Sequence, residues 1–238
     1  MIRVFCDFDG TVATEDVGER LFLKFTDGRS ADIVTRYVNG EISSHECLQQ
    51  ECEAVGPIAL DELISFVDSF ELDPFFGGFV RFCSAREIDL TIVSDGLDFY
   101  IDRLLRRDGV SHVRYFANHL ELTESDDGTM LVPSFPFQDA ECPDCGNCKR
   151  NHLVTRSGDD DLIVYVGDGH SDRCPVQYAD IVFAKRSLIT HCQRQNITYH
   201  AFAHFGDVQF RMENIAERRR IKKRREAVMA RRGLFMQG

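Results

Sequence analysis

Three short apolar runs, each closed by an acidic residue and a glycine, constrain this chain more than any other feature. Residues 2–8 (Ile-Arg-Val-Phe-Cys-Asp-Phe) lead into Asp9-Gly10, residues 89–96 end in Ser94-Asp95-Gly96, and residues 161–169 end in Gly167-Asp168-Gly169. Each run is too short for a buried helix and rich in β-branched or aromatic residues, so each reads as a strand. Helical periodicity between them, over residues 75–87 and 97–107, gives strand–helix alternation. Continuous apolar strands in such an alternation belong to a parallel sheet covered on both faces. The expected fold class is therefore α/β, with a Rossmann-like parallel sheet as its core. Ligands of these sheets bind beyond the carboxyl ends of the strands, where all three polar loops would meet.

Residues 14–72 interrupt the alternation. Short amphipathic helices are expected near residues 16–25, 31–39, 44–54 and 60–70, separated by Gly28, Gly40 and Gly56-Pro57, which together suggest an inserted helical cap. Runs at 113–122 and 130–137 flank the polar cluster Thr123-Glu124-Ser125-Asp126-Asp127-Gly128 and suggest a small β-hairpin. The implied organisation is a core of residues 1–13 and 73–212, a cap of residues 14–72 and a basic C-terminal extension, residues 213–238. Ile221, Val228 and Met229 are too sparse in that extension for an apolar stripe, so it reads as a helical appendage or a disordered tail.

Charge narrows the partners. The formal net charge is −11, yet residues 217–238 hold nine Lys/Arg against Glu217 and Glu226, a net +7 that leaves −18 on residues 1–216. Such a body repels phosphate backbones, so nucleic acid is not the expected partner, and a small anionic substrate needs a metal or a locally positive pocket. The tail has no aromatic residue between Arg218 and Gly233 to stack bases, and it can instead fold back on the acidic body. Asp7 arrives before a signal-peptide apolar region could form, and no apolar run reaches membrane-spanning length, so a cytoplasmic protein without a membrane partner is expected. Nine cysteines, an odd number, do not read as a secreted disulfide framework. Cys142, Cys145 and Cys148 crowd just before Lys149. A tight turn that positions Lys149 is the favoured reading; a redox switch is another. A zinc knuckle is a third, and it would require Cys174, His152 or another histidine to be brought in as fourth ligand.

Asp7 and Asp9 are two apart, so in an extended segment they leave the strand end on one side. Adjacent carboxylates repel, and a divalent cation relieves them. Asp168 and Asp172 would reach the same edge from another strand, and an oxygen-rich set of this kind suits Mg²⁺. Ser94, Asp95 and Gly96 offer side-chain and backbone donors to a phosphate oxygen. Lys149, at an apparent helix start, offers a fixed ammonium. Each signal is weak by itself: an Asp-x-Asp is commonly a turn or cap, Ser94 serves equally as N-cap of a helix from Leu97, and a lone lysine is usually solvated. Their recurrence on one sheet edge gives them weight.

In order along the chain, Asp-x-Asp-Gly-Thr, a Ser, a Lys and Gly-Asp-Gly-x-Ser-Asp resemble the four motifs of the haloacid dehalogenase (HAD) superfamily, over roughly residues 1–13 and 73–206. The early insertion resembles the subgroup that includes phosphoserine phosphatase. Cys-Pro-x-Cys-Gly-x-Cys-Lys, Gly-Asp-Gly-x-Ser-Asp-x-Cys-Pro and the run at 179–185 resemble the branch of methylthioribose-salvage and phosphocholine/phosphoethanolamine phosphatases. The resemblance implies a Mg²⁺-dependent phosphatase of a small phosphorylated metabolite. Asp7 would attack phosphorus, and Asp9 would protonate the leaving oxygen and then activate water. Thr11, Ser94 and Lys149 would hold the phosphoryl oxygens. Mg²⁺ would be held by Asp7, the Asp9 backbone carbonyl and Asp168, with Asp172 in support. Asp16 falls where the subgroup often carries an acidic substrate contact, although a helix N-terminal charge explains it equally. Where phosphoserine phosphatases usually carry Arg-Pro-Gly, this chain has Leu72-Asp73-Pro74; Asp73 is expected to repel a substrate carboxylate and so to favour a neutral or cationic leaving group. The rival readings are a non-catalytic phospho-aspartate switch and a pseudoenzyme recruited through its basic tail. A switch ordinarily carries its acceptor on a later strand, and the intact acidic set argues against a dead site.

Overall fold

Strand β1 (Ile2–Cys6) lies in the middle of the sheet because its neighbours on both sides are parallel to it, β2 (Asp89–Leu97) on one and β5 (Leu162–Gly167) on the other. The computed structural model describes residues 1–139, 141–142, 144–216 and 222–235. Seven strands form one sheet, with β3 (Arg114–Ser125) and β4 (Gly128–Ser134) beyond β2, and β6 (Ile181–Ala184) and β7 (His200–Ala201) beyond β5. Every pairing is parallel except β3 with β4. The hairpin is thus an extension of the main sheet, its first strand pairing with β2 and its second turning back after residues 126–127.

Both faces of the sheet are buried, which is why its central strands lack polar alternation. All six residues of β5 are buried. Val4, Cys6, Val164 and Val166 pack into the larger core, whereas Phe5, Ile163 and Tyr165 face a second cluster with Leu153, Val176 and Leu188. The chain order places a switch point at the β1/β5 seam, since successive strands build outward from it in opposite directions. Ligands collect at the carboxyl end of such a seam. Asp7 follows β1 there, and Asp168 follows β5.

Between Ala13 and Leu72 the chain leaves the sheet and returns through paired extended segments: the Thr14 N–H donates to the Glu71 carbonyl at 3.0 Å and the Asp73 N–H to the Val12 carbonyl at 2.8 Å. Inside this loop stand four helices, α1 (Val17–Phe25), α2 (Ser30–Val38), α3 (Ser44–Val55) and α4 (Leu60–Val67). Asp16 caps α1, and Ser43 with Glu46 closes a capping box on α3. The insertion touches the core away from its own stem, since Ile58 exchanges two backbone hydrogen bonds with Thr129 of β4.

Helices α5 (Phe76–Ala85), α6 (Asp98–Arg107), α7 (Lys149–Thr155), α8 (Arg186–Arg194) and α9 (Phe205–Ala216) complete the framework. α9 carries the core beyond residue 212, with Met212 and Ile215 buried. No helix among the described residues is long and apolar enough to cross a membrane. Residues 217–221 and 236–238 of the basic tail lie outside the described residues; of the remainder, Arg225–Phe235 form α10 and residues 222–224 lead into it without helix. An apolar stripe is not what seats it. Arg224 donates to the carbonyls of Val176 (2.6 Å) and Gln177 (2.7 Å), Arg231 donates to Asp180 at 3.0 Å and to the Tyr178 carbonyl, and Ala227 is buried at the contact.

The Asp180 carboxylate is inaccessible to solvent and also accepts the Ile163 N–H of β5 at 3.0 Å. Losing Arg231 would leave a buried charge with one fewer donor, at a cost of about 2 kcal/mol. Arg231→Ala should therefore lower the urea midpoint without changing the m-value, while Arg225→Ala, at an exposed position of the same helix, should leave it in place. Equal midpoints for the two variants would show that α10 contributes nothing through this pair.

Candidate active site

The strand ends at Cys6, and the residues after it form a single wide turn over Phe8–Val12, closed by the Ala13 N–H on the Phe8 carbonyl at 2.9 Å. Gly10 makes the turn possible. Its φ is +69°, and a Cβ there would run into Asp168 and Arg186. Asp7 and Asp9 keep extended backbone angles and both border the same cavity, but they take different hydrogen-bond partners.

Asp7 is 5% exposed and its Oδ1 accepts from Lys149 Nζ at 2.6 Å. The same ammonium donates to Asp172 Oδ1 at 2.9 Å and to Ser171 Oγ at 2.8 Å. Asp172 is fixed from every side: its Oδ2 accepts the N–H groups of Asp168 (2.8 Å) and Gly169 (2.9 Å), and Tyr165 donates its hydroxyl to Oδ1 at 2.6 Å. Asp168 accepts from Thr11 Oγ1 at 3.1 Å and from Arg186 at 2.9 Å. One carboxylate oxygen from each of Asp7, Asp168 and Asp172 falls within 4.8 Å of the others. Three buried carboxylates thus face two cations, Lys149 between Asp7 and Asp172 and Arg186 on Asp168. Burial, and then the charge of Asp172, push Asp7 well above the usual carboxylate range against the pull of Lys149. Asp168 is raised for the first two reasons. Burial also acts upward on Asp172, but Lys149 and the Gly169 N–H outweigh it and hold the group below its ordinary value. Lys149 is raised, since the two aspartates outweigh its own desolvation. An all-oxygen set with excess negative charge fits a hard divalent cation such as Mg²⁺.

Asp9 sits in a second network. Its Oδ1 accepts from the N–H groups of Val17 (3.0 Å) and Gly18 (3.3 Å), and its Oδ2 from Tyr100 (2.9 Å) and Ser94 (3.2 Å). Burial raises it, while these donors oppose the shift. Ser94 is not an N-cap: β2 continues to Leu97, the helix begins at Asp98, and Ser94 Oγ accepts the Gly96 N–H at 3.0 Å. Asp95 accepts from Ser44 of α3 at 2.5 Å and from the Asn147 N–H at 3.1 Å, so it joins the insertion to the loop before Lys149.

A cavity of about 320 Å³ opens between this edge and helices α1–α3. Asp7, Asp9, Asp95, Gly96 and Asp168 line its floor; Asp16, Glu19, Glu51, Phe22, Tyr37, Val34 and Leu48 line the remainder. No Lys or Arg is among the lining residues. Asp16 both caps α1, accepting the Glu19 N–H at 2.8 Å, and faces the cavity, where burial and then Asp9 raise it to about 7. Asp73 does not take the expected position. It is buried away from the cavity and caps two backbone segments, accepting the N–H groups of Phe75 (2.9 Å) and Phe205 (3.2 Å). The acidic wall is built instead by Asp16, Glu19 and Glu51.

Of the residues singled out in the sequence, Asp7, Lys149, Asp168 and Asp172 meet in one cluster, with Thr11 beneath Asp168. Asp9 and Ser94 meet in the other, and Asp16, Asp95 and Gly96 border the cavity. Tyr100, Tyr165, Arg186 and Asn147 were not anticipated. None belongs to a motif; Arg186 adopts φ +48°, which no local pattern announces.

The sequence profile of the family described as Putative Phosphatase matches residues 2–204. A 2-hydroxy-3-keto-5-methylthiopentenyl-1-phosphate phosphatase from Bacillus cereus (strain AH187) is 29% identical over 219 residues, covering 91% of this chain and 98% of that protein. Among solved structures, a HAD family hydrolase from Salmonella enterica serovar Typhi superposes with a TM-score of 0.67 at 17% identity, covering 87% of this chain and 69% of that one. A phosphoserine phosphatase solved as a phospho-aspartyl intermediate analogue gives 0.65 at 12% identity, covering 88% and 98%.

Glu51 supplies a test of the cavity's electrostatics. Burial, with added repulsion from Asp16 and Glu19 and against a hydrogen bond from Cys47, raises it to about 8. An unfolded glutamate titrates near about 4.3, so between the two values the folded state holds a proton that the unfolded state does not. The associated stability is complete below the lower value and is lost as pH rises toward the higher one, by up to about 1.4 kcal/mol per pH unit. In metal-free buffer, urea stability should fall between pH 5.5 and 7.5, and Glu51→Gln should flatten that slope. Parallel profiles for the two proteins would show that Glu51 is ionised in the folded state throughout.

Proposed function

Because the chain belongs to the Putative Phosphatase family, we propose that it is a phosphatase of the HAD type that hydrolyses a small phosphomonoester through a phosphorylated Asp7. The observation that carries this reading is the 2.6 Å pair of Lys149 and Asp7 inside a cluster of three buried carboxylates at the floor of a closed-over cavity.

An Asp7 carboxylate oxygen attacks phosphorus as the bond from phosphorus to the leaving oxygen breaks, while Lys149 fixes the attacking group and offsets its charge. Asp9 gives its proton to the leaving oxygen. Its elevated affinity for that proton favours the acid form at the start, and Tyr100 and the Val17 and Gly18 N–H groups stabilise the carboxylate left behind. In the second half Asp9 takes a proton from the water that attacks the aspartyl phosphate, inorganic phosphate leaves, and Asp7 is regenerated. Asp7 and Asp168, with Asp172 in support and the Asp9 backbone carbonyl, are the groups that would hold Mg²⁺, which supplies charge neutralisation at the phosphoryl oxygens. Ser94, Asp95 and Gly96 border the position of those oxygens, and Thr11 acts by holding Asp168.

Residues 14–72 enclose the leaving group. The cavity beyond the carboxylates has acidic groups and apolar side chains but no cationic side chain, which disfavours a leaving group with its own carboxylate. The fit is to an uncharged or amine-bearing group with hydroxyl or keto oxygens and an apolar end. A 2-hydroxy-3-keto-5-methylthiopentenyl-1-phosphate, the compound in the name of the Bacillus relatives, has these properties. Nine unpaired cysteines agree with a reducing, cytoplasmic setting.

The test is turnover across phosphorylated amines, sugars, amino acids and methylthio-ketose phosphates. Repeated turnover distinguishes an enzyme from a phospho-aspartate switch. Asp7→Asn should lower kcat at least about 10³-fold with the fold intact, since the amide keeps the shape but is a poor nucleophile. Asp9→Asn should cost about 10²–10⁴-fold and slow both formation and hydrolysis of the acid-labile phosphoenzyme. Chelation of divalent cations should abolish turnover, and added Mg²⁺ should restore it. Near-native activity in Asp7→Asn would end the assignment.

A further inference from the structure

Four thiols that this chemistry does not use converge behind Lys149. Cys142, Cys145 and Cys148 come from the loop between β4 and α7, and Cys148 directly precedes Lys149. Cys174 comes from a separate stretch, two residues beyond Asp172. The Sγ atoms of Cys142 and Cys145 stand 3.7 Å apart. Cys145, Cys148 and Cys174 line one narrow cavity together with Arg150, whose guanidinium donates to Asp139 at 3.0 Å. Histidine is not the fourth partner here, because His152 Nε2 is engaged with Asn147 Oδ1 at 2.6 Å and its ring stacks on Phe116.

We propose that Cys142, Cys145, Cys148 and Cys174 are the ligands of a structural Zn²⁺ ion, separate from the carboxylate site. Four thiolates are the ligand set of a closed tetrahedral zinc site, with bonds of about 2.3 Å and hence sulfur–sulfur edges of about 3.8 Å. The Cys142–Cys145 pair already has that separation. No three of the four sulfurs lie within 4.8 Å of one another, so binding draws Cys148 and Cys174 inward. Soft thiolates select zinc, whereas the all-oxygen cluster suits a hard cation, so the two sites sort their metals by chemistry. Each thiol that binds releases its proton to solvent. A Zn²⁺ with four thiolates carries a net charge of −2, and Arg150 offsets part of it. A simple dithiol switch would need only the Cys-x-x-Cys pair. The arrival of Cys174 from a distant stretch is what a fourth metal ligand requires.

The ion would also serve the neighbouring site. Lys149 and Asp172 meet at 2.9 Å, one following a zinc ligand by one residue and the other preceding one by two. Zinc therefore ties together the two loops whose side chains form that pair.

The full chain, purified under reducing conditions without chelator and dialysed against Mg²⁺ buffer, should retain about one zinc per molecule by elemental analysis. Replacement by Co²⁺ should give an intense thiolate-to-cobalt charge-transfer band, which an oxygen-only site cannot produce. Cys174→Ser should lower the band by about a quarter, and Cys142→Ser with Cys145→Ser should abolish it. Wild-type protein that holds no zinc and gives no thiolate band when fully reduced and mixed with Co²⁺ overturns the site. So does a thiol titration of the metal-stripped, unfolded chain, without added reductant, that finds a disulfide among these cysteines. An unchanged band in Cys174→Ser removes Cys174 from the ligand set and with it the link between the loops.

Discussion

The ammonium of Lys149, buried between Asp7 and Asp172, is the interaction on which the rest of this molecule depends. Taking these charges out of water is costly unless each finds a partner and the remaining lone pairs are satisfied. The fold provides those partners from distant parts of the sequence. β1 brings Asp7, α7 brings Lys149, and the loop after β5 brings Asp172, whose second oxygen is held by its own loop's N–H groups. The parallel pairing of β1 with β5 makes these arrivals coincide, because it aligns the carboxyl ends of the two strands. The cluster is still one cation short of balance, and that deficit leaves room for a metal and, in its presence, for a phosphoryl group.

The insertion is coupled to this cluster through polar contacts as well as by its stem. Ser44 at the start of α3 reaches Asp95, Asp95 holds the Asn147 N–H, and Asn147 stands two residues before Lys149. On the other side of the site, the Val17 and Gly18 N–H groups at the start of α1 hold Asp9. A displacement of the helices would therefore be felt at both Lys149 and Asp9. On the proposed mechanism, the part of the cavity that would receive the leaving group and the carboxylate that would move its proton belong to one hydrogen-bonded framework.

Much of the framework was legible because it depends on local pattern. β5 lacks polar alternation since both its faces are covered, and Asp7, Asp9 and Asp168 follow the ends of apolar runs that any reading would find, with Ser94 near the end of β2. The helices of the insertion announced themselves through amphipathic periodicity and the glycines between them. What escaped was set by tertiary packing. Tyr100 and Tyr165 look like core aromatics in sequence, and only the placement of α6 and β5 turns their hydroxyls toward Asp9 and Asp172. Asp73 looked like a cavity charge, but the close approach of α5 and α9 directs it to the Phe75 and Phe205 N–H groups. The tail is helical over Arg225–Phe235 and lies back on the acidic body, as one of its two expected forms, and only its seating escaped, because arginines reaching the carbonyls of residues 176–178 leave no mark on hydrophobic periodicity.

The electrostatics of the cavity resolve what looks like a contradiction, an acidic pocket for an anionic substrate. Negative charge is not spread evenly along it. At the floor, Lys149 and a carboxylate set able to hold a metal would make a place where a phosphoryl group gains from leaving water. Toward the insertion, Asp16, Glu19 and Glu51 face the cavity without a lysine or arginine among its lining residues. A carboxylate on the leaving group would lose its hydration there and meet repulsion, while a hydroxyl, keto or amine group would find acceptors or, on protonated Asp16 and Glu51, donors. The raised affinities of those two acids for protons let them change between donor and acceptor near neutrality. The proposed discrimination against carboxylate-bearing phosphomonoesters would thus follow from the same burial that makes the acidic wall costly to ionise.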